Sequence, residues 1–248
     1  MYGSSQGNRK ELKMHKLKLL AGGVALAGFS AAATAAPELY LGAQMGYQST
    51  DVEYSDKYSY SSGSFSDSYT ETTDYSVDGI AGGIFAGAKF YVSEGLYIAP
   101  EVNLGTSSAD GGYRESYRDS NGTSNSFEIE AEAGKSYGFG VLLGKDLTAN
   151  TSIYGRLGYQ RTEYELTVSG TGFSSESDDE TFGGIRYGLG LETAMTSNLA
   201  LRLDWSLTDY SDESYSESTP DGFGGTDTYT QTFDPTENLF QVGVSYRF

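Results

Sequence analysis

Residues 237–248 read ENLFQVGVSYRF, and this stretch decides the fold. Phe240, Val242, Val244, Tyr246 and Phe248 are apolar or aromatic, while Gln241, Gly243, Ser245 and Arg247 fill the alternate positions. Successive side chains of a strand point to opposite faces, so a period of two makes one apolar face and one polar or glycine face. A strand of this kind needs an apolar medium on one side only.

The same alternation recurs upstream. In 38–48 (ELYLGAQMGYQ), Leu39, Leu41, Ala43, Met45 and Tyr47 oppose Glu38, Gly42, Gln44 and Gly46. Further strands are read at 80–91, 96–104, 127–143, from Ile153 to Gln160, 185–192 and 199–210. In 127–143, Phe127, Ile129, Ala131, Ala133, Lys135, Tyr137 and Phe139 share one parity, and Glu128, Glu130 and Glu132 the other. Pro100 is a blemish in the strand 96–104, because it removes a ladder donor. With the closing strand these make eight.

The connections alternate in length. Ser/Tyr/Asp-rich stretches at Ser49–Gly79, Gly105–Ser126, Ser169–Glu180 and Ser211–Thr236 carry little to bury and are read as long loops. Short turns lie at 92–95, 144–150 and 196–198. Four long connections at one end, three short ones at the other, and a consistently apolar face predict an all-β, eight-stranded antiparallel up-and-down transmembrane β-barrel. A soluble sandwich or lipocalin accounts for eight alternating strands but not for the other features together.

Composition agrees. The hydrophobic share is 38% and mean hydropathy −0.42, low for a chain that must fill a solid core and natural for one with a single apolar face and polar connections. Wholesale disorder is excluded by an aromatic content of 14%, since disordered chains are poor in aromatics. Cysteine is absent, so there is no disulfide framework, thiol nucleophile or thiolate metal site.

Residues 14–36 begin MHKLKLL and continue through an apolar run, Leu19–Phe29, to the small residues Ala33-Thr34-Ala35. This is the charged, apolar, small-residue order of an export signal, too short for the ~20 residues of a spanning helix. The expected division is 1–35 for the signal with its N-terminal extension and 36–248 for the barrel. Cleavage removes five basic residues and one acid, leaving 11 bases, 33 acids and a net charge of −22. It also removes His15, the sole histidine. So acidic a chain repels phosphate, which argues against nucleic acid as a partner.

The segments LYIAPEVNL (96–104), SIYGRLGYQ (152–160) and YGLGLETAMTSNLALRLDW (187–205) resemble the OmpA/OmpX-type outer-membrane β-barrel domain, opacity-like adhesins included. The resemblance covers the whole of 36–248 and implies residence in the outer membrane of a Gram-negative bacterium, with outer-membrane lipid and lipopolysaccharide as surroundings. It also implies insertion by the barrel-assembly machinery, for which Phe240, Val242, Val244, Tyr246 and Phe248 of the closing strand are the signal. Outer-membrane enzymes of related architecture use a histidine; the processed chain has none, so an enzyme is not expected.

Strand parity places Lys89, Arg156, Arg186, Arg202 and Arg247 inside, with Glu101, Glu132, Glu192 and Asp204. An eight-stranded barrel is just wide enough for side chains to fill, and unpaired charges there are costly. An ion-paired network across the lumen is therefore expected. Lys135 and Arg161 fall on the lipid-facing parity near the long-loop end, where they snorkel at the interface or contact lipopolysaccharide phosphates. No cofactor or metal site is expected: the loop carboxylates lack calcium-loop spacing. The expected role is structural, a monomeric barrel displaying four acidic extracellular loops for envelope integrity or adhesion to an extracellular ligand or surface. The alternative is a narrow porin-like pore.

Overall fold

The computed structural model describes residues 36–118 and 124–248; the expected export signal, 1–35, lies outside the described residues. Ten strands occur in chain order: β1 (Glu38–Ser62), β2 (Phe65–Ser93), β3 (Leu96–Ser107), β4 (Asp110–Arg118), β5 (Ser124–Asp146), β6 (Thr151–Gly170), β7 (Phe173–Ala194), β8 (Leu199–Tyr210), β9 (Glu213–Pro220) and β10 (Gly225–Arg247). They form one antiparallel sheet, in which β1-β10-β8-β7-β6-β5-β3-β2 closes on itself through β1–β2. The ring has eight staves, as the alternation requires. The surplus over eight comes from two interruptions: β4 continues β3 beyond Ser108-Ala109 on the same neighbour β5, and β9 continues β8 on β10.

The outer surface follows the period of two. Leu39, Leu41, Met45 and Tyr47 on β1, Leu199 to Leu207 in alternation on β8, and Phe240 to Phe248 in alternation on β10 all project outward, and all but the half-buried Leu207 are exposed. Each run spans nine residues, the ~9–11 that a tilted strand needs to cross a bilayer. Among the described residues nothing packs over this belt, as a lipid-facing surface requires.

The long-loop assignments do not survive. Ser49–Gly79 is not a loop: β1 and β2 stay in register from Glu38↔Lys89 to Ser62↔Phe65 and turn only at 63–64, where Gly63 takes φ +60°. Likewise β6 and β7 run on to a turn around Gly172, and β9 and β10 to one at 221–224. The polar stretches are β-hairpins because Ser, Thr and Tyr pair well across strands even with nothing to bury. With β1 at 25 residues and β2 at 29, more than half of each stands clear of the belt.

The short turns behave as read. Thr148 and Thr196 each accept from the backbone N–H groups two and three residues on, through Oγ1, at 3.0–3.3 Å. Two turns of related sequence, Thr148-Ala149-Asn150 and Thr196-Ser197-Asn198, are thus locked by the same side-chain device.

The glycine face has a packing reason. A Cβ at Gly42 would collide with the Phe85 ring, at Gly87 with Tyr40, at Gly144 with Tyr97, and at Gly190 with Tyr154. In the lower lumen each large ring takes up the space beside a glycine of the neighbouring strand, and together these rings belong to one buried cluster. A second cluster, with Val52, Tyr75, Val77, Tyr164, Phe182 and Tyr210, fills the lumen at the hairpin end.

Candidate functional site

The charges read from parity meet in the lumen, interleaved with the rings of the lower aromatic cluster. Starting from the end that holds the chain termini, Arg247 pairs with Glu38 at 3.6 Å, and Lys89 with Glu192. Next comes a square of two cations and two anions. Arg156 Nη2 lies 2.9 Å from Glu101 and 3.1 Å from Asp204, and Arg202 reaches Glu101 at 2.8 Å and Asp204 at 3.4 Å. Tyrosines take the remaining acceptor positions. Tyr40 donates to Glu101 at 2.9 Å, and Tyr154 to Asp204 at 2.7 Å while accepting from Arg202 Nε at 3.0 Å. The Arg202 guanidinium lies 4.1 Å from the Phe85 ring centre, and Lys89 Nζ 4.9 Å from that of Tyr97.

Buried ions cost several kcal/mol each in lost hydration, offset only when geometry is good and every remaining hydrogen-bonding position is used. All four members of the square are buried, Arg202 at 1% exposure, and the tyrosine hydroxyls complete it. The sequence reading had the charges but missed the tyrosines. Tyr40 and Tyr154 share parity with the inward charges, and that was the available signal.

Arg186 also faces inward, but no carboxylate lies within ion-pair distance among the described residues. It donates instead to Ser206 at 3.0 Å, Gln241 at 3.3 Å and Gln160 at 3.5 Å. Above it Glu237 accepts from Tyr210 at 3.0 Å and Thr208 at 3.3 Å. Arg186 and Glu237 border one small polar cavity of about 20 Å³, with Gln44, Gln48 and Asn103; ~10–15 Å³ suffices for one water.

Glu132 does not face inward as its strand parity predicts. It is exposed, on the outer face, and has no part in the lumen network. The ladder with β6 shifts register between Ala133 and Ser136; the extra residue reverses parity, so Ile129, Ala131 and Ala133 are buried inside and Glu128, Glu130 and Glu132 turn out. Beyond the bulge Lys135 projects outward as read. Arg161 is outward and half-buried beside Tyr137, its Nε without an acceptor. The five residues of the closing-strand signal all lie on the outer face, between 43% and 76% exposed.

No group of three or more His, Asp or Glu side chains among the described residues is placed to hold a metal ion. A closed antiparallel ring with an apolar outer belt and a charge-paired interior defines an integral membrane β-barrel. The chain belongs to the outer membrane protein beta-barrel domain family, whose model matches residues 19–248, and it resides in the outer membrane. No curated protein matches the sequence. Solved structures similar to it include Ail, the attachment invasion locus protein of Yersinia pestis (14% identity, 82% of this chain and 99% of that one, TM-score 0.36). OprG from Pseudomonas aeruginosa is 14% identical over 84% and 95% of the two chains, with a TM-score of 0.41. The outer membrane protease OmpT from Escherichia coli is 7% identical over 87% and 99%, with a TM-score of 0.49.

Proposed function

We propose that this outer-membrane barrel is a non-conducting, non-enzymatic scaffold that acts at the cell surface through its protruding hairpins, in adhesion or envelope integrity. The observation that carries the reading is the continuity of β1, β2 and β10 from the lipid belt into the hairpins without a flexible break. Such continuity holds a recognition surface rigidly away from the membrane, at about 3.3 Å of reach per residue. The cross-lumen ion pairs support a closed interior. The absence of histidine after His15 supports a role outside the hydrolytic chemistry that outer-membrane enzymes perform.

In this reading the Lys135 ammonium and Arg161 guanidinium, at the outer edge of the belt, meet lipopolysaccharide phosphates. The closing strand, ending on Phe248, is engaged by the barrel-assembly machinery during insertion of a monomer. Two measurements test the whole. Planar-bilayer recording of the purified barrel is expected to give no sustained single-channel conductance; regular openings would favour the pore. Cells displaying the barrel with residues 54–73 replaced by a two-residue turn are expected to lose surface attachment while keeping heat-modifiable barrel mobility on gels.

A further inference from the structure

Above the lipid belt the ring opens into two sheets. Among the described residues β2 pairs with β4 only at Val77 and Asp78, the β7–β8 ladder ends at Gly184↔Tyr210, and β9 pairs with β10 alone. One sheet is therefore β9-β10-β1-β2 and the other β4-β5-β6-β7, with a cleft between them. Tyr215 Oη bridges the β7/β9 seam by donating to Glu180 at 3.0 Å. At the β2/β4 seam no ladder among the described residues joins the strands beyond Val77, so the edge of β2 from Phe65 to Ser76 has no ladder partner there on that side. The cleft floor is apolar, made by Val52, Tyr75, Tyr164, Leu166, Phe182 and Phe233.

The first sheet has two unlike faces. Register and alternation put Glu71, Asp56, Gln231 and Tyr215 in one row on the cleft face, then Tyr69, Tyr58, Tyr229 and Glu217, then Asp67, Tyr60, Asp227 and Thr219. A row rich in tyrosine thus lies between rows carrying carboxylates. Neighbouring hydroxyls and rings are already ordered: Tyr58 donates to Asp227 at 2.6 Å, and the Tyr58 and Tyr229 ring centres are 5.0 Å apart. Lys57 points to the opposite face, and by parity so do Arg114 and Arg118 on β4. Among the described residues no Lys or Arg turns into the cleft. The opposite face of the same sheet is a lattice of hydroxyls, with Ser214, Ser216 and Ser218 on β9 paired to Thr232, Thr230 and Thr228 on β10.

The geometry points to this cleft as the docking site for an extended cationic peptide segment that adds to the free edge of β2. The inference rests on the surface-interaction reading and names the chemistry of the partner. An added strand satisfies the unpaired backbone groups of the β2 edge. With a basic residue at every second position, it presents its ammonium or guanidinium groups to the tyrosine faces and flanking carboxylates. A cation over an aromatic face is attracted by the negative face of the ring. Charge selects against the other obvious occupant, a second copy of this chain, because its acidic hairpins repel their like.

The test uses the full barrel in lipid nanodiscs and a fluorescein-labelled ten-residue peptide of alternating Lys and Thr, read by anisotropy at ~150 mM salt, where long-range attraction is screened. Two variants remove the same charge from opposite faces of the sheet: Asp67→Asn with Glu71→Gln in the cleft, and Glu53→Gln with Asp74→Asn outside. Retained heat-modifiable mobility establishes that each barrel is folded. The cleft variant is expected to weaken binding about tenfold and the outer variant less than about twofold. A peptide of the same composition with its five lysines in a block is expected to bind more weakly than the alternating one. Equal weakening by both variants, equal binding of the block peptide or of an alternating Glu-Thr peptide, or no binding at all would overturn the inference. If cells with the hairpin replaced still lose attachment while the peptide fails to bind, the surface role stands and only the cationic partner falls.

Discussion

Arg202 on β8 and Glu101 on β3 lie four staves apart in an eight-stave ring, so their 2.8 Å contact crosses the full width of the barrel. Lys89 on β2 and Glu192 on β7 are likewise four apart. These pairs tie opposite walls together at two heights, which a ladder of neighbouring strands does not do.

Replacing Arg202 by Met leaves Glu101 and Asp204 sharing Arg156 alone. Removing one partner of a buried pair costs roughly 3–5 kcal/mol, and the loss is expected in urea unfolding followed through Trp205 fluorescence. Adding Glu101→Gln to the Met variant is expected to recover part of it. A stability unchanged by Arg202→Met would show that the square contributes nothing.

The ring-over-glycine packing makes a paired prediction. Gly42→Val forces a branched side chain into the Phe85 ring, and overpacking of this kind costs about 1–3 kcal/mol. Phe85→Ala alone also destabilises, by opening a cavity. The double variant is expected to be more stable than the sum of the two losses implies, a coupling that a double-mutant cycle measures.

The face reversal at the bulge is open to direct chemistry, because the chain has no cysteine. On intact cells a thiol placed at Glu132 is expected to react with a membrane-impermeant maleimide as fast as one on the outer face at Asp74. A thiol at Ala131 should stay unreactive until the barrel is unfolded. Reaction at Ala131 instead of Glu132 would place the register shift elsewhere.

At the tip of the β9–β10 hairpin, Asp221 accepts from the backbone N–H groups of Phe223 at 2.7 Å and Gly225 at 2.9 Å. These bonds, Phe223 first, hold its carboxyl below the usual carboxylate range. A depressed folded value means the turn gains stability above the unfolded value and loses it as pH falls through the folded one. Amide exchange at Phe223 and Gly225 is therefore expected to be slow from neutral pH to about 5, where the unfolded value of ~3.9 is still well below. After correction for intrinsic rates, protection should fall in more acidic solution. Asp221→Asn is expected to shift protection little, since its amide oxygen still accepts, and to remove most of the acid dependence.

The strands, their lipid-facing side and the inward charges were legible in the sequence because alternation is local: a period of two assigns each side chain to a face without reference to any other strand. Lys89, Glu101, Arg156, Arg186, Glu192, Arg202, Asp204 and Arg247 were placed inside on that basis alone. Three things were decided only by tertiary structure. Which charges meet depends on ring closure, which sets β3 against β8 and leaves Arg186 among neutral partners. Glu132 escaped the rule because a bulge shifts parity without changing composition. The polar stretches became paired hairpins rather than loops because cross-strand bonding, which no hydropathy pattern records, suffices once the barrel below has fixed the register.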